Sequence, residues 1–125
     1  MEGYSAKVKY SSKELTAKER IAVKDSSSVI KLDDVVKEDS VIIKVDYYAI
    51  IAIHNEKSET KDYDKIVLVD KETGKRYTTG SRPFITTFEN IFEEMEEETE
   101  DWSIVVFAKE SQNYKGKYFL TCSIL

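Results

Sequence analysis

One cysteine, one proline, one histidine and four glycines are all that this chain holds of the residues that mark disulfides, kinks, metal clusters and flexible linkers. A lone Cys122 cannot close an internal disulfide and fits a reducing compartment, for which the cytoplasm is the default. A lone His54 offers neither a histidine cluster for a metal nor a second imidazole for a proton relay, so no metal and no cofactor are expected. The longest apolar run, Tyr47 to Ile53, is far too short to span a bilayer, and the opening MEGYSAKVKYSSKE lacks the apolar core of a secretory signal. No membrane partner is expected. Without a Gly/Pro-rich linker or an internal repeat, residues 1–125 read as one domain, with residues 1–20 as a flexible or extended N-terminal arm.

Catalytic signatures are also missing. The TGK at 73–75 lacks the earlier glycine and the following Ser/Thr of a phosphate-binding loop. Carboxylates crowd together only in FEEMEEETED, a solvated setting that would not drive their pKa values apart. A binding protein is expected rather than an enzyme.

Positive charge is absent from residues 89–101, which hold eight Asp and Glu. Setting those aside leaves 16 acids against 19 Lys and Arg, so the net charge of −5 comes from one segment and the rest is mildly basic. An anionic partner is therefore compatible with the composition. With 41% apolar and 34% charged residues the chain has enough Ile, Val, Phe and Tyr for one core and a charged surface around it.

The strongest periodic segment is SVIIKVDYYAIIAIHN. Its odd positions from Val41 to Ile53 are all apolar and its even positions are partly so, which predicts a long strand covered on both sides as it bends around a barrel. EKSETKDYD has loop composition, and KIVLV reads as a second strand. DKETGK is a turn with Gly74 where a positive φ is wanted, and KRYTT is a third strand. The period then changes. Phe84, Ile85, Phe88, Ile91, Phe92 and Met95 form one helical stripe, with Ser81 as N-cap and Pro83 in the first turn. Acids fill the C-terminal half of that helix, the unfavourable end for its dipole, so fraying is expected there. WSIVVFAK and KYFLTCSIL are the last two strands, joined by ESQNYKG, and Cys122 falls at an apolar strand position. In the first forty residues KVKY suggests a short strand, and KELTAKERIAV reads as either a helical turn or an extended arm.

Five strands with one helix between the third and fourth is the order of the OB-fold, so the expected class is mainly β, a five-stranded Greek-key barrel. The rival is an open α+β sheet with the helix across one face. Four features then carry a resemblance over about residues 20–125: VIIKVDYYAIIAI, the glycine turn and tyrosine of TGKRYTT, the helix after GS, and the closing SQNYKGKYFLTCSIL. In that order they resemble the small single-stranded DNA-binding proteins of bacteriophages of Gram-positive bacteria, including those of protein-primed Bacillus phages.

The resemblance implies a protein that coats single-stranded DNA without sequence preference during replication, in the host cytoplasm. Replication proteins or further copies of itself are the other partners it implies. It also implies bases stacked on tyrosines and phosphates tracked by Lys and Arg. Tyr77 matches the tyrosine after the glycine turn, beside Lys75 and Arg76, and Tyr63 matches one in the loop after the long strand. Late in that strand the chain offers Tyr48, near Lys44, alongside Tyr47 and His54. The final hairpin loop adds Tyr114, Lys115 and Lys117. Composition supports stacking independently: eight tyrosines outnumber five phenylalanines, and most sit beside cations. The plainer reading of each tyrosine is a core-edge residue with a wetted hydroxyl. A second function remains open, an OB-fold adaptor or inhibitor whose acidic helix meets a basic partner. A third is a subunit that depends on another chain for nucleic-acid chemistry.

Overall fold

The computed structural model describes residues 3–36, 39–57, 59–111 and 116–125. Seven strands and three helices run in the order β1 (Tyr4–Ser11), α1 (Ala17–Lys24), β2 (Ile30–Lys31), α2 (Leu32–Val35), β3 (Val41–Asn55), β4 (Asp62–Asp70), β5 (Arg76–Thr79), α3 (Arg82–Met95), β6 (Ser103–Glu110) and β7 (Tyr118–Ile124). The strands form one mixed, curled sheet in the order β2-β5-β4-β3-β6-β7, with β1 added against β3. The protein is mainly β, with the long helix between β5 and β6 as the residue pattern predicts. Among the described residues there are seven strands where five were expected, because β1 and β2 arise from the first forty residues, whose pattern is the least regular. Short β2 lies parallel to β5 and occupies its outer edge. Among the described pairings none joins β5 to β7, so the sheet is a half-barrel rather than a closed one.

The long strand β3 organises everything else. Residues 41–44 pair with β6, residues 45–54 with β4, and residues 49–55 with β1. Where the partner changes, Val45 faces Asp70 while Tyr47 faces Val69, so Asp46 is an extra, exposed residue in a bulge. One added residue reverses which side chains face which way. Before the bulge Ile43 and Val45 enter the main core; after it Tyr48 and Ile50 do, while Tyr47, Ala49, Ile51 and Ile53 enter a second core. The single apolar face expected along the odd positions is thus two faces in succession, both covered.

Helix α3 closes the main core. Its Phe84 and Phe88 are wholly buried, and Phe88 stacks on Trp102 at 6.5 Å and meets Tyr48 edge-on at 5.0 Å. Ser81 caps it, accepting from the Phe84 N–H at 3.4 Å, with Pro83 in the first turn. It ends at Met95, so Glu96 to Asp101 lie beyond the regular helix. Repulsion among those carboxylates and the negative helix end explain the early stop. On the opposite face of the sheet, Leu15 and Val23 cover the second core. The α1 helix that supplies Val23 starts with a capping box: the Glu19 N–H donates to Thr16 Oγ1 at 3.2 Å and the Thr16 N–H donates to Glu19 Oε1 at 2.9 Å. KELTAKERIAV therefore resolves as a helix, and KVKY as part of a full strand. Cys122 is buried in the main core, which pushes its thiol up to about 12. No helix among the described residues is long and apolar enough to cross a membrane.

Candidate nucleic-acid interface

The side of β3, β6 and β7 turned away from α3 carries aromatic rings that neither core uses. Alternation sends Ile43, Ile104, Val106, Leu120 and Cys122 inward. Their neighbours must point out. Register then lays the outer residues in rows: Lys44 beside Ser103, Ile42 beside Val105 and Ser123, Phe107 beside Thr121, and Lys109 beside Phe119. Phe107 and Phe119 are both partly exposed and belong to neither core cluster, and Ile42 is 58% exposed. They are diagonal neighbours on adjacent strands, positions that sheet geometry spaces about 7 Å apart. Lys109 and Lys117 are exposed, and neither has an ion pair among the described residues. From the Lys44 row to the Lys109 row this face runs about 20 Å, which suits a few nucleotides.

The residues expected to form the site do not all meet here. Tyr77 and Tyr48 are corrected: at 9% and 4% exposed they are members of the main core, which leaves too little ring surface for a stacked base. The cause is register. Tyr77 is held between β2 and β4, and the bulge at Asp46 turns Tyr48 onto Phe88 and Phe92. Arg76 is partly buried and donates to Ser28 Oγ, and Lys75 is exposed in the β4–β5 turn. Lys44 lies on the aromatic face but is bound to Glu72 at 3.2 Å and Asp101 at 3.4 Å. Tyr63 belongs to β4 rather than to a loop, and it lies about 20 Å along that strand from the row that holds Arg76. Lys117 sits in the final hairpin beside the aromatic face. Tyr114 and Lys115 lie outside the described residues.

No family model, curated protein or solved structure matches this chain. Phe107, Phe119 and Lys109 are the members that the residue pattern leaves unmarked. A signal for them exists in WSIVVFAK: once Ile104, Val106 and Ala108 are assigned inward, a phenylalanine is left on the wet face.

A second concavity, of about 540 Å³, runs over β1, β3 and β4 toward the start of α3, with Lys7, His54, Asp62, Asp64 and Arg82 in its lining. Tyr63 borders it, but alternation pairs Tyr63 with Ile53 and sends its ring to the other side of the sheet. His54 lies between two carboxylates, with Nδ1 2.7 Å from Asp62 and Nε2 2.6 Å from Glu56. Asp62 first, then Glu56, raise the imidazole pKa above its usual 6.5. The folded protein therefore binds this proton more tightly than the unfolded chain. Its stabilisation is fully present below about 6.5 and is lost as pH rises through the higher folded value. Thermal melts from pH 6 upward should show the wild type losing ground to His54→Gln over that interval. Parallel curves for the two proteins would contradict this.

Among the described residues no group of three or more His, Cys, Asp or Glu side chains is placed to hold a metal ion.

Proposed function

We propose that the protein binds single-stranded DNA without sequence preference, as a non-catalytic coat during phage-type replication in the cytoplasm of a host cell. The observation that carries this reading is the pair of partly exposed phenylalanines on a sheet face flanked by Lys109 and Lys117. Every base has a π-face, so rings on a sheet hold any sequence, and nearby cations neutralise phosphates. The pairings support an OB-type Greek key underneath: β3 with β4 and β6, β4 with β5, β6 with β7, and a helix between β5 and β6. In that scheme β1 and β2 are additions to the five-stranded plan.

Titration of labelled oligo-dT, followed by anisotropy at low and moderate salt, tests the reading. Phe107→Ala and Phe119→Ala should each weaken binding about tenfold, within the range of a lost stacking platform. Lys109→Ala and Lys117→Ala should each flatten the dependence of log K on log salt by about one phosphate's worth. Absence of binding at low salt, or tighter binding of duplex than of single strands, would overturn it.

A further inference from the structure

Between β1 and the C-terminal half of α3, an open cleft of about 350 Å³ is walled by aromatic rings and rimmed by acids. The rings are Tyr10, Tyr48 and Phe92. Tyr10 and Tyr48 are 5.7 Å apart at 47°, and Tyr48 and Phe92 are 4.9 Å apart at 69°, so they form inclined walls rather than a stack. Local structure explains the convergence. A register shift between Val8 and Tyr10 turns Tyr10 onto the α3 side of the sheet, opposite Ile50. On α3, Glu89, Phe92 and Glu93 share one stripe, and Glu96, the C-cap that follows Met95, continues it in αR conformation.

The charged side chains that line the cleft are all acids, while Arg82 and Lys9 lie in the adjoining hollow beyond Glu89. Glu89, Glu93 and Glu96 are exposed and have no ion pair among the described residues. The cations nearest in sequence to Tyr10 are committed elsewhere, Lys9 to Asp64 at 2.8 Å and Lys13 to Glu19 at 2.7 Å. The C-terminal end of α3 adds its own partial negative charge. Ring faces are negative as well, and Tyr10 is 48% exposed, so its ring is open to solvent. Two accessible aromatic walls, Tyr10 and Phe92, over a nearly buried Tyr48 and with carboxylates at the rim, suit an organic cation better than an anion or an apolar group.

We propose that this cleft receives an arginine side chain presented by a basic segment of a partner protein. Arginine fits better than lysine because its flat guanidinium can stack on a ring while its N–H groups reach two carboxylates. A protein segment fits better than a small free polyamine because exposed acids without an ion pair among the described residues continue past the cleft at Glu97, Glu98 and Glu100, where basic residues flanking the arginine would meet them. The cleft shares no residue with the aromatic face of β6 and β7, so either assignment stands or falls without the other.

The test is binding of a fluorescein-labelled peptide of alternating Arg and Gly to the full chain, with a citrulline-for-arginine peptide as the neutral control. Tyr10→Leu keeps β1 apolar and paired while removing the ring, and it should weaken the arginine peptide about tenfold. The double variant Glu93→Gln/Glu96→Gln should do at least as much. Glu97→Gln/Glu98→Gln removes the same charge outside the cleft, from the acids that meet the flanking basic residues, and should cost only about two- to threefold. Equal losses in the two double variants, or an unaffected Tyr10→Leu, would reduce the effect to diffuse acidity and overturn the proposal. Displacement of the peptide by equimolar spermidine would overturn the choice of a protein partner.

Discussion

Phe88→Ala is expected to lower the unfolding free energy by about 3–5 kcal/mol, the range for an aromatic side chain removed from a filled core. Phe88 is wholly buried, and four aromatic neighbours meet around it: Tyr48, Phe84, Phe92 and Trp102. No small rearrangement can fill the space, because these rings come from β3, from α3 and from the segment before β6. Urea melts of wild type and variant, followed by Trp102 fluorescence, measure the loss directly. A change below about 1 kcal/mol would mean that the ring cluster collapses into the vacancy and that α3 is held by other contacts.

Asp70→Ala is the second large effect, about 3 kcal/mol, and its origin is polar. Asp70 is 7% exposed and clamps the β4–β5 turn to β3. Its Oδ1 accepts the N–H of Glu72 at 2.8 Å and of Thr73 at 2.9 Å, and its Oδ2 accepts the N–H of Lys44 at 3.1 Å. Alanine would leave those donors without their charged acceptor. Burial acts to raise the Asp70 pKa, but the N–H groups of Thr73, Lys44 and Glu72 outweigh it and hold the carboxyl below its usual 3.8. The stabilisation is thus present above about 3.8 and lost as pH falls through the lower folded value. Acid titration of stability should show wild type and Asp70→Ala converging below that point; a constant gap would assign the loss to packing instead.

Elements with a clean period were legible from residues alone. The α3 stripe from Phe84 to Met95, its Ser81 cap and the positive φ of Gly74 follow from local rules, and the structure has each of them. Of the two N-terminal strands only the KVKY part of β1 was suggested, because β1 mixes Lys with apolar positions and β2 is only two residues long. The placement of tyrosines failed for a different reason. Whether Tyr47 or Tyr48 faces the main core depends on one extra residue at Asp46, and a bulge leaves no mark in a run that is apolar on both faces. The candidate face was half legible: Lys44 and Lys117 were in view, while Phe107 and Phe119 stood out only once the inward set of β6 and β7 was fixed.

The reach of β3 also sets the order in which the chain can be completed during synthesis. Its hairpin with β4 closes through a short loop, but its pairing with β6 joins residues about sixty positions apart. Val106, Leu120 and Cys122 all belong to the main core, so that core stays unfinished until the last hairpin has left the ribosome. Until then residues 41–44 present an apolar, unpaired edge, and the nascent chain depends on prompt arrival of β6 to hide it.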